Sequence, residues 1–442
     1  MTFFANTRLR LQAPAPAARE PGRALLWLIV CATLFYGSYG FANWAAAQHG
    51  QVASIRFAWE QGIPFLPWSI LPYWSIDLFY ALAFLLCADA AELRRHVRRV
   101  LTAQGVAVLC FLAFPLQLAA AKPETTGIPG FLFAALGSFD RPYNQAPSLH
   151  IALLVILWEL YARHLPRRFH LALHAWAVLI GLSVLTTYQH HFIDVPTGAA
   201  LGLLCLWLWP ARGESPLAHL RLARLVERPG ERLRIGALYA LGALASAFIA
   251  LRLGGGMLWL LWPALSLTLV ALNYLCIGAA GFQKRADGTM PLATRLLLAP
   301  YILGARFNAW LWTAGDAATA IGDGVWLGRL PHRFAAEAPA FATIVDLCAE
   351  LPAASHSGRH VALPALDLVP LPAAELGRAA DAIEAARRDG PVLVCCALGY
   401  GRSAAATAAW LVATGRAPSA EAAVTRLRSL RPRIALKARR SR

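Results

Sequence analysis

Eight runs of about twenty apolar residues constrain this chain more than any other feature. They lie near 24–47, 70–90, 100–120, 147–162, 169–188, 194–210, 233–252 and 255–278. A run of that length spans the hydrocarbon of a bilayer as a helix, because every backbone N–H and C=O is then paired within the segment. Composition agrees: 58% of the 442 residues are hydrophobic and only 15% are charged. A soluble domain carries about a quarter charged residues. The chain therefore reads as an integral membrane protein with room for one further soluble domain. The first run is long enough to be a retained span, and no short cleavable signal precedes it.

The net charge of +17 is mostly arginine, set in short loops between apolar runs. Anionic headgroups and membrane topology account for that placement better than a nucleic-acid partner does. Four arginines fall between residues 8 and 23, four between 94 and 99, three between 163 and 168 and six between 212 and 234. The opposite loops carry Arg56, Lys122, Arg141 and Arg252. The positive-inside rule then puts both termini in the cytoplasm, which fits an even number of spans in a bacterial inner membrane. The eight cysteines include no CxxC pair, and Cys31, Cys87, Cys110, Cys205 and Cys276 sit inside apolar runs. Neither a disulfide framework nor a zinc site is expected.

Residues 1–23 form a Pro/Ala/Arg-rich tail and 24–280 the membrane part. A linker, 281–321, carries an apolar stretch from Leu296 to Trp312 interrupted by Arg306, which reads as an amphipathic helix on the inner surface. A ninth span there would move the C-terminus outside. From about Gly322 the texture becomes strands and amphipathic helices: Val325–Leu327, Thr343–Leu347 and His360–Ala365 as strands, Pro372–Arg388 and Ser419–Leu430 as helices. The expected fold is a multi-pass α-helical membrane domain followed by a small α/β domain at 322–442.

Within that domain Pro391-Val-Leu-Val-Cys-Cys-Ala-Leu-Gly-Tyr-Gly-Arg-Ser403 reads as a buried strand, a loop with Gly399 and Gly401, and a helix start. Backbone N–H groups in such a loop hold an anion. The spacing Cys396-x5-Arg402 lets a thiol and a planar guanidinium fork face one phosphate. Amides and a helix N-terminus favour the nucleophilic thiolate. The motif resembles the signature loop of cysteine-dependent protein tyrosine and dual-specificity phosphatases, over roughly the last quarter of the chain. The residue before the nucleophile is Cys395, where that family usually has His. Cys395 suits either a resolving thiol or a buried small hydrophobe. The resemblance implies an aspartate as proton donor, and Asp367 stands in the matching place. Asp346 is the rival, inside an apolar run that favours a structural role. Ser403 suits either assistance to breakdown of a phosphocysteine or a helix cap.

A second constellation lies at the ends of spans. Arg141-Pro-Tyr-Asn-Gln-Ala-Pro-Ser-Leu-His150 precedes the fourth, and Thr187-Tyr-Gln-His-His-Phe-Ile-Asp194 joins the fifth to the sixth. Ionisable groups at such depth are costly and usually functional. If the turn is helical, Asp194 orients the His190 imidazole, four residues earlier, as a nucleophile toward phosphorus. His150 is then placed to protonate a leaving alkoxide, and Arg141 with Ser148 to hold phosphate oxygens. A structural polar cluster and a metal site are the competing readings, and the adjacent Arg141 favours an anion over a cation. These residues resemble the type-2 phosphatidic acid phosphatase superfamily, over roughly residues 60–210. The resemblance implies a phosphorylated His190. The superfamily's usual Lys and Arg are Ala134 and Val184 here, the Gly of its Pro-Ser-Gly-His is Leu149, and Lys122 is a candidate replacement ligand. The doubled His190-His191 followed by Phe192 is closer to the sphingolipid-synthase branch, so the alternatives to hydrolysis are headgroup transfer or, given the missing Lys and Arg, an inactive anchor joined to a protein tyrosine phosphatase domain. Together the resemblances imply a fusion of two phosphatase families acting on membrane lipids, with a phospholipid phosphate as substrate and no cofactor.

Overall fold

The apolar runs fold as helices. The computed structural model describes residues 20–49, 51–221, 229–314, 317–331, 341–354 and 357–436. The tail arginines before residue 20, Arg224, Arg228 and the basic end Lys437–Arg442 lie outside them. The chain divides into two compact units, residues 1–212 and 213–442.

The first unit holds α1 (Pro21–Ala47), α2 (Ile70–Leu86), α3 (Ala90–Ala113), α4 (Gly127–Gly137), α5 (Leu149–His164), α6 (His170–Thr186) and α7 (Asp194–Leu208). The second opens with α8 (Pro229–Leu253) and α9 (Leu261–Leu272), followed by α10 (Leu292–Leu297) and α11 (Ala299–Thr313). Among the described residues six helical stretches are long and apolar enough to cross a membrane: Pro21–Ala47, Pro67–Leu86, Ala90–Ala113, Arg167–Thr186, Pro229–Leu253 and Gly255–Ile277. Two of the eight expected spans fall short. The helices α5 and α7 have 16 and 15 residues, about 24 and 22 Å at 1.5 Å per residue. Polar residues set where they start: Ser148 caps α5 by accepting the Ile151 N–H, and α7 begins at Asp194, as expected. The third expected span starts ten residues early, where Asp89 caps α3 by accepting the Glu92 N–H. Arg94, Arg95, Arg98 and Arg99 therefore ride on a helix and not in a loop. Arg99 is buried and meets Glu159 of α5 at 2.6 Å.

Close packing of α5 on α7 places the first unit's polar residues. A Cβ on Gly198 would lie 2.4 Å from the Ser148 carbonyl oxygen, and one on Gly202 2.7 Å from that of Ala152. Two glycines one helical turn apart let the backbones touch.

The second unit ends in a five-stranded sheet: β1 (Ala318–Gly322), β2 (Val325–Arg329), β3 (Thr343–Cys348), β4 (Arg359–Ala365) and β5 (Val392–Cys396), in the order β1-β2-β5-β3-β4. Only β1–β2 is antiparallel. All five residues of β5 are buried, as expected of a central parallel strand covered on both faces. Helices α12 (Ala373–Ala386), α13 (Arg402–Ala413) and α14 (Ala420–Leu430) complete the module. Its core gathers Leu327, Val345, Val394, Ile383, Trp410 and Leu427. Ser419 caps α14 by accepting the Ala422 N–H. The strand β1 was not foreseen, since its Ala-Thr-Ala-Ile-Gly carries little β-branched signal.

Candidate functional site

In the second unit β5 delivers Cys396 to its carboxyl end, and α13 begins six residues later at Arg402. The loop is forced tight at Gly399, where φ is +80° and a Cβ would sit 2.4 Å from the Gly328 carbonyl carbon. Only glycine combines the left-handed backbone with that approach. The turn aims the Gly399 N–H at Cys396 Sγ, 3.3 Å away. Ser403 Oγ donates to the same sulfur at 3.2 Å. Gly401 is the residue before α13 and leaves open space around its Cα. Cys396 is 3% exposed, so the sulfur sits in a lined recess with two donors on it.

Arg402 is held differently from the expectation that its fork faces the phosphate. The fork closes on Glu350, with Nη1 and Nη2 at 2.7 and 2.6 Å from its two oxygens. Nη1 also donates to the Ala365 carbonyl at 2.7 Å, and Nη2 lies 3.1 Å from Asp367 Oδ1. The buried Nε–H has no partner among the described residues. That N–H, with the loop amides, is the donor left for an anion. Burial resists ionisation of Glu350, but Arg402 outweighs it and holds the carboxyl below its usual range.

Asp367 follows β4 and precedes Leu368, whose φ is +58°. Its side chain is 34% exposed. Burial pushes its ionisation above the usual range, against the pull of Arg402. The Tyr274 hydroxyl donates to its carbonyl at 3.0 Å. Asp346 is instead buried against Lys284 and His360 and accepts the Cys348 N–H, a structural arrangement. Burial also drives the Cys395 thiol well above its ordinary range, which suits a packing role. Glu350 is the residue sequence reasoning missed. Its signal was an acid just past the carboxyl end of a fully buried strand, beside the signature strand.

In the first unit His190 Nδ1 lies 3.1 Å from Asp194 Oδ2, and Nε2 lies 3.0 Å from Ser148 Oγ. The turn that joins them is not helical. Residues 190–193 leave the α-helix, Tyr188 has φ +50°, and Asp194 is the first residue of α7. The carboxylate still reaches the imidazole because it also accepts the His191 N–H at 2.9 Å, which folds the turn over it. His190 lines a cavity of about 340 Å³ together with Lys122, Asp140, Arg141, Asn144 and Tyr39. Lys122 thus joins Arg141 and His190, while Val184 is packed in the core. A smaller cavity of about 80 Å³ shares His190 and Asp140 and is lined by His150, Phe35, Leu136 and Leu149. His150 stacks on Tyr73 with ring centroids 4.2 Å apart, and its Nε2 has no partner among the described residues. His191 is a brace: Nε2 accepts the Ala119 N–H at 3.0 Å and Nδ1 faces Glu60 at 3.2 Å. Glu60, also missed in the sequence, accepts the Phe192 N–H as well.

No known family profile matches the chain, and no curated protein matches it. Solved structures of tyrosine and dual-specificity phosphatases are similar to a small part of it. Human DUSP28 is 26% identical over 26% of this chain and 82% of its own, with a TM-score of 0.23. Tk-PTP in its active form is 26% identical over 26% of this chain and 85% of its own, and a mutant form is 22% identical over 27% and 85%; both have a TM-score of 0.23.

Proposed function

We propose that the chain is a membrane phosphatase that cleaves phosphate monoesters at Cys396. The observation that carries this is the sulfur itself, which receives the Gly399 N–H and the Ser403 hydroxyl beside a buried guanidinium with one open N–H. The thiolate attacks phosphorus, an S–P bond forms, the P–O bond to the alcohol breaks, and Asp367 gives its proton to the leaving oxygen. Water then attacks the phosphocysteine, Asp367 takes the water's proton, and Ser403 donates to the departing sulfur. Arg402 Nε and the loop amides bind the phosphoryl oxygens. The substrate class is a phospholipid monophosphate, such as a phosphatidylglycerophosphate-like or phosphatidylinositol-phosphate-like lipid. The arginine distribution supports a multi-pass protein of a bacterial inner membrane with both termini cytoplasmic. Release of inorganic phosphate from lipid phosphates by the full chain, lost in Cys396→Ser with His190→Ala as background, tests the reading. Turnover of phosphotyrosine peptides alone would overturn the lipid assignment.

A second reading concerns the first unit, favoured by the cavity that joins Lys122, Arg141 and His190. There His190 takes the phosphoryl group, Asp194, itself held by the His191 N–H, orients the imidazole, Arg141 and Lys122 hold the oxygens, and Ser148 turns from Nε2 to the phosphate. His150 protonates the leaving alkoxide. This unit resembles lipid phosphatases of the type-2 phosphatidic acid class, and the alternative is headgroup transfer to an alcohol. A labelled alcohol acceptor separates the two: a new lipid means transfer, and free phosphate alone means hydrolysis.

A further inference from the structure

The helix α11 has two unlike faces. Ile302, Ala309 and Thr313 are buried, whereas Leu303, Phe307, Trp310 and Leu311 are exposed by 58% or more. Those four recur at i, i+4, i+7 and i+8, one continuous stripe of a helix. A 15-residue helix is too short to cross a bilayer. It is continuous with apolar elements that are long enough: α9 packs on α11, and Trp262 Nε1 donates to the Leu296 carbonyl. The last turn of α11 is tied to the signature loop. Tyr400, between Gly399 and Gly401, donates its hydroxyl to the Trp312 carbonyl at 3.2 Å, and Arg433 donates to the same oxygen at 2.7 Å. Arg431 covers the Tyr400 ring at 4.7 Å. A second tie runs from Tyr274, in the turn Asn273–Ile277 that ends α9, to the Asp367 carbonyl.

We propose that α11 lies on the bilayer surface through Leu303, Phe307, Trp310 and Leu311, and that this seating, relayed by the Tyr400–Trp312 bond, holds the Cys396 loop at headgroup depth. The occupant of the stripe is lipid because α11 packs on α9, whose stretch Gly255–Ile277 is long and apolar enough to cross a membrane, and because Arg433, exposed beside the loop, suits anionic headgroups. The site then takes its phosphate ester from the leaflet on which α11 rests, and soluble esters reach it without using the stripe. The proposal rests on Cys396 being the phosphate nucleophile.

The test uses the full chain with His190→Ala, in nanodiscs of phosphatidylcholine and phosphatidylglycerol. Two substrates are compared, phosphatidic acid within the disc and p-nitrophenyl phosphate in solution. The double variant Phe307→Gln/Trp310→Gln is expected to lower kcat/KM on the lipid by about tenfold or more while soluble-ester turnover stays within about twofold. An unchanged ratio of the two, or an equal loss on both, overturns the proposal. A nitroxide on an unnatural side chain at position 303 gives a readout independent of activity. Relaxation by oxygen over a water-soluble nickel chelate shows seating, and the reverse overturns it. No turnover of either substrate with Cys396 intact would sink the phosphatase reading alone, and the nitroxide would still decide whether α11 seats.

Discussion

At the residue scale, the chemistry of the second unit turns on Arg402 and what pairs with it. Glu350 and Arg402 are both almost wholly buried, and removing one partner of such a pair strands the other charge. Glu350→Ala is expected to cost about 3–5 kcal/mol of unfolding free energy, measured by chemical denaturation followed at α13. As the proposed proton donor, Asp367 is expected to set a pH limb. Its pKa lies above that of a free aspartate, and the acid role needs the protonated form. The rate of the bond-breaking step is therefore expected to fall as pH rises through that raised value. Asp367→Asn should erase the limb and lower kcat by about 10²–10⁴-fold, read from a pH–rate profile with a poor leaving group. Ser403→Ala, which removes the donor to Sγ, is expected to slow dephosphorylation of the enzyme, so that a phosphocysteine accumulates in a rapid quench. Of these three positions Asp367 and Ser403 were visible in the sequence and Glu350 was not. A signature motif advertises the residues inside it, whereas Glu350 meets Arg402 across 52 residues of chain.

At the element scale, two close approaches hold the sites in shape. Gly399 is both left-handed and in contact with the β2 backbone. Gly399→Ala is expected to cost about 1–3 kcal/mol of strain and to abolish detectable turnover at Cys396, measured as phosphate release. Gly198 lets α7 touch the start of α5. Gly198→Leu forces those helices apart and breaks the Ser148–His190 contact, so a phosphoryl group trapped on His190 should disappear while Cys396 turnover persists. Boundaries were legible where a local signal marks them. Ser419 and the strand-loop-helix of the signature fall where expected, because cap and turn chemistry is written within a few residues. The start of α3 and the presence of α4 and β1 were not, since weak local signals were settled by what packs against them.

At the scale of the whole molecule, the six long apolar helices among the described residues are compatible with a multi-pass membrane protein, because about twenty apolar residues in a row have few other places to go. On the topology proposed from arginine placement, protease access to a tag after residue 442 should be confined to the cytoplasmic side of inverted vesicles. What the sequence by itself determined is the helix-rich character, the α/β tail and the two short stretches that carry Cys396 and His190, all of which rest on hydrophobicity and on motifs confined to a few residues. Only the tertiary structure decided that Glu350 occupies the Arg402 fork, that Lys122 shares a cavity with Arg141 and His190, and that Tyr400 is bonded to α11. Those pairings depend on strand order and helix packing, which bring together side chains dozens of residues apart, and no local pattern records a distance of that kind.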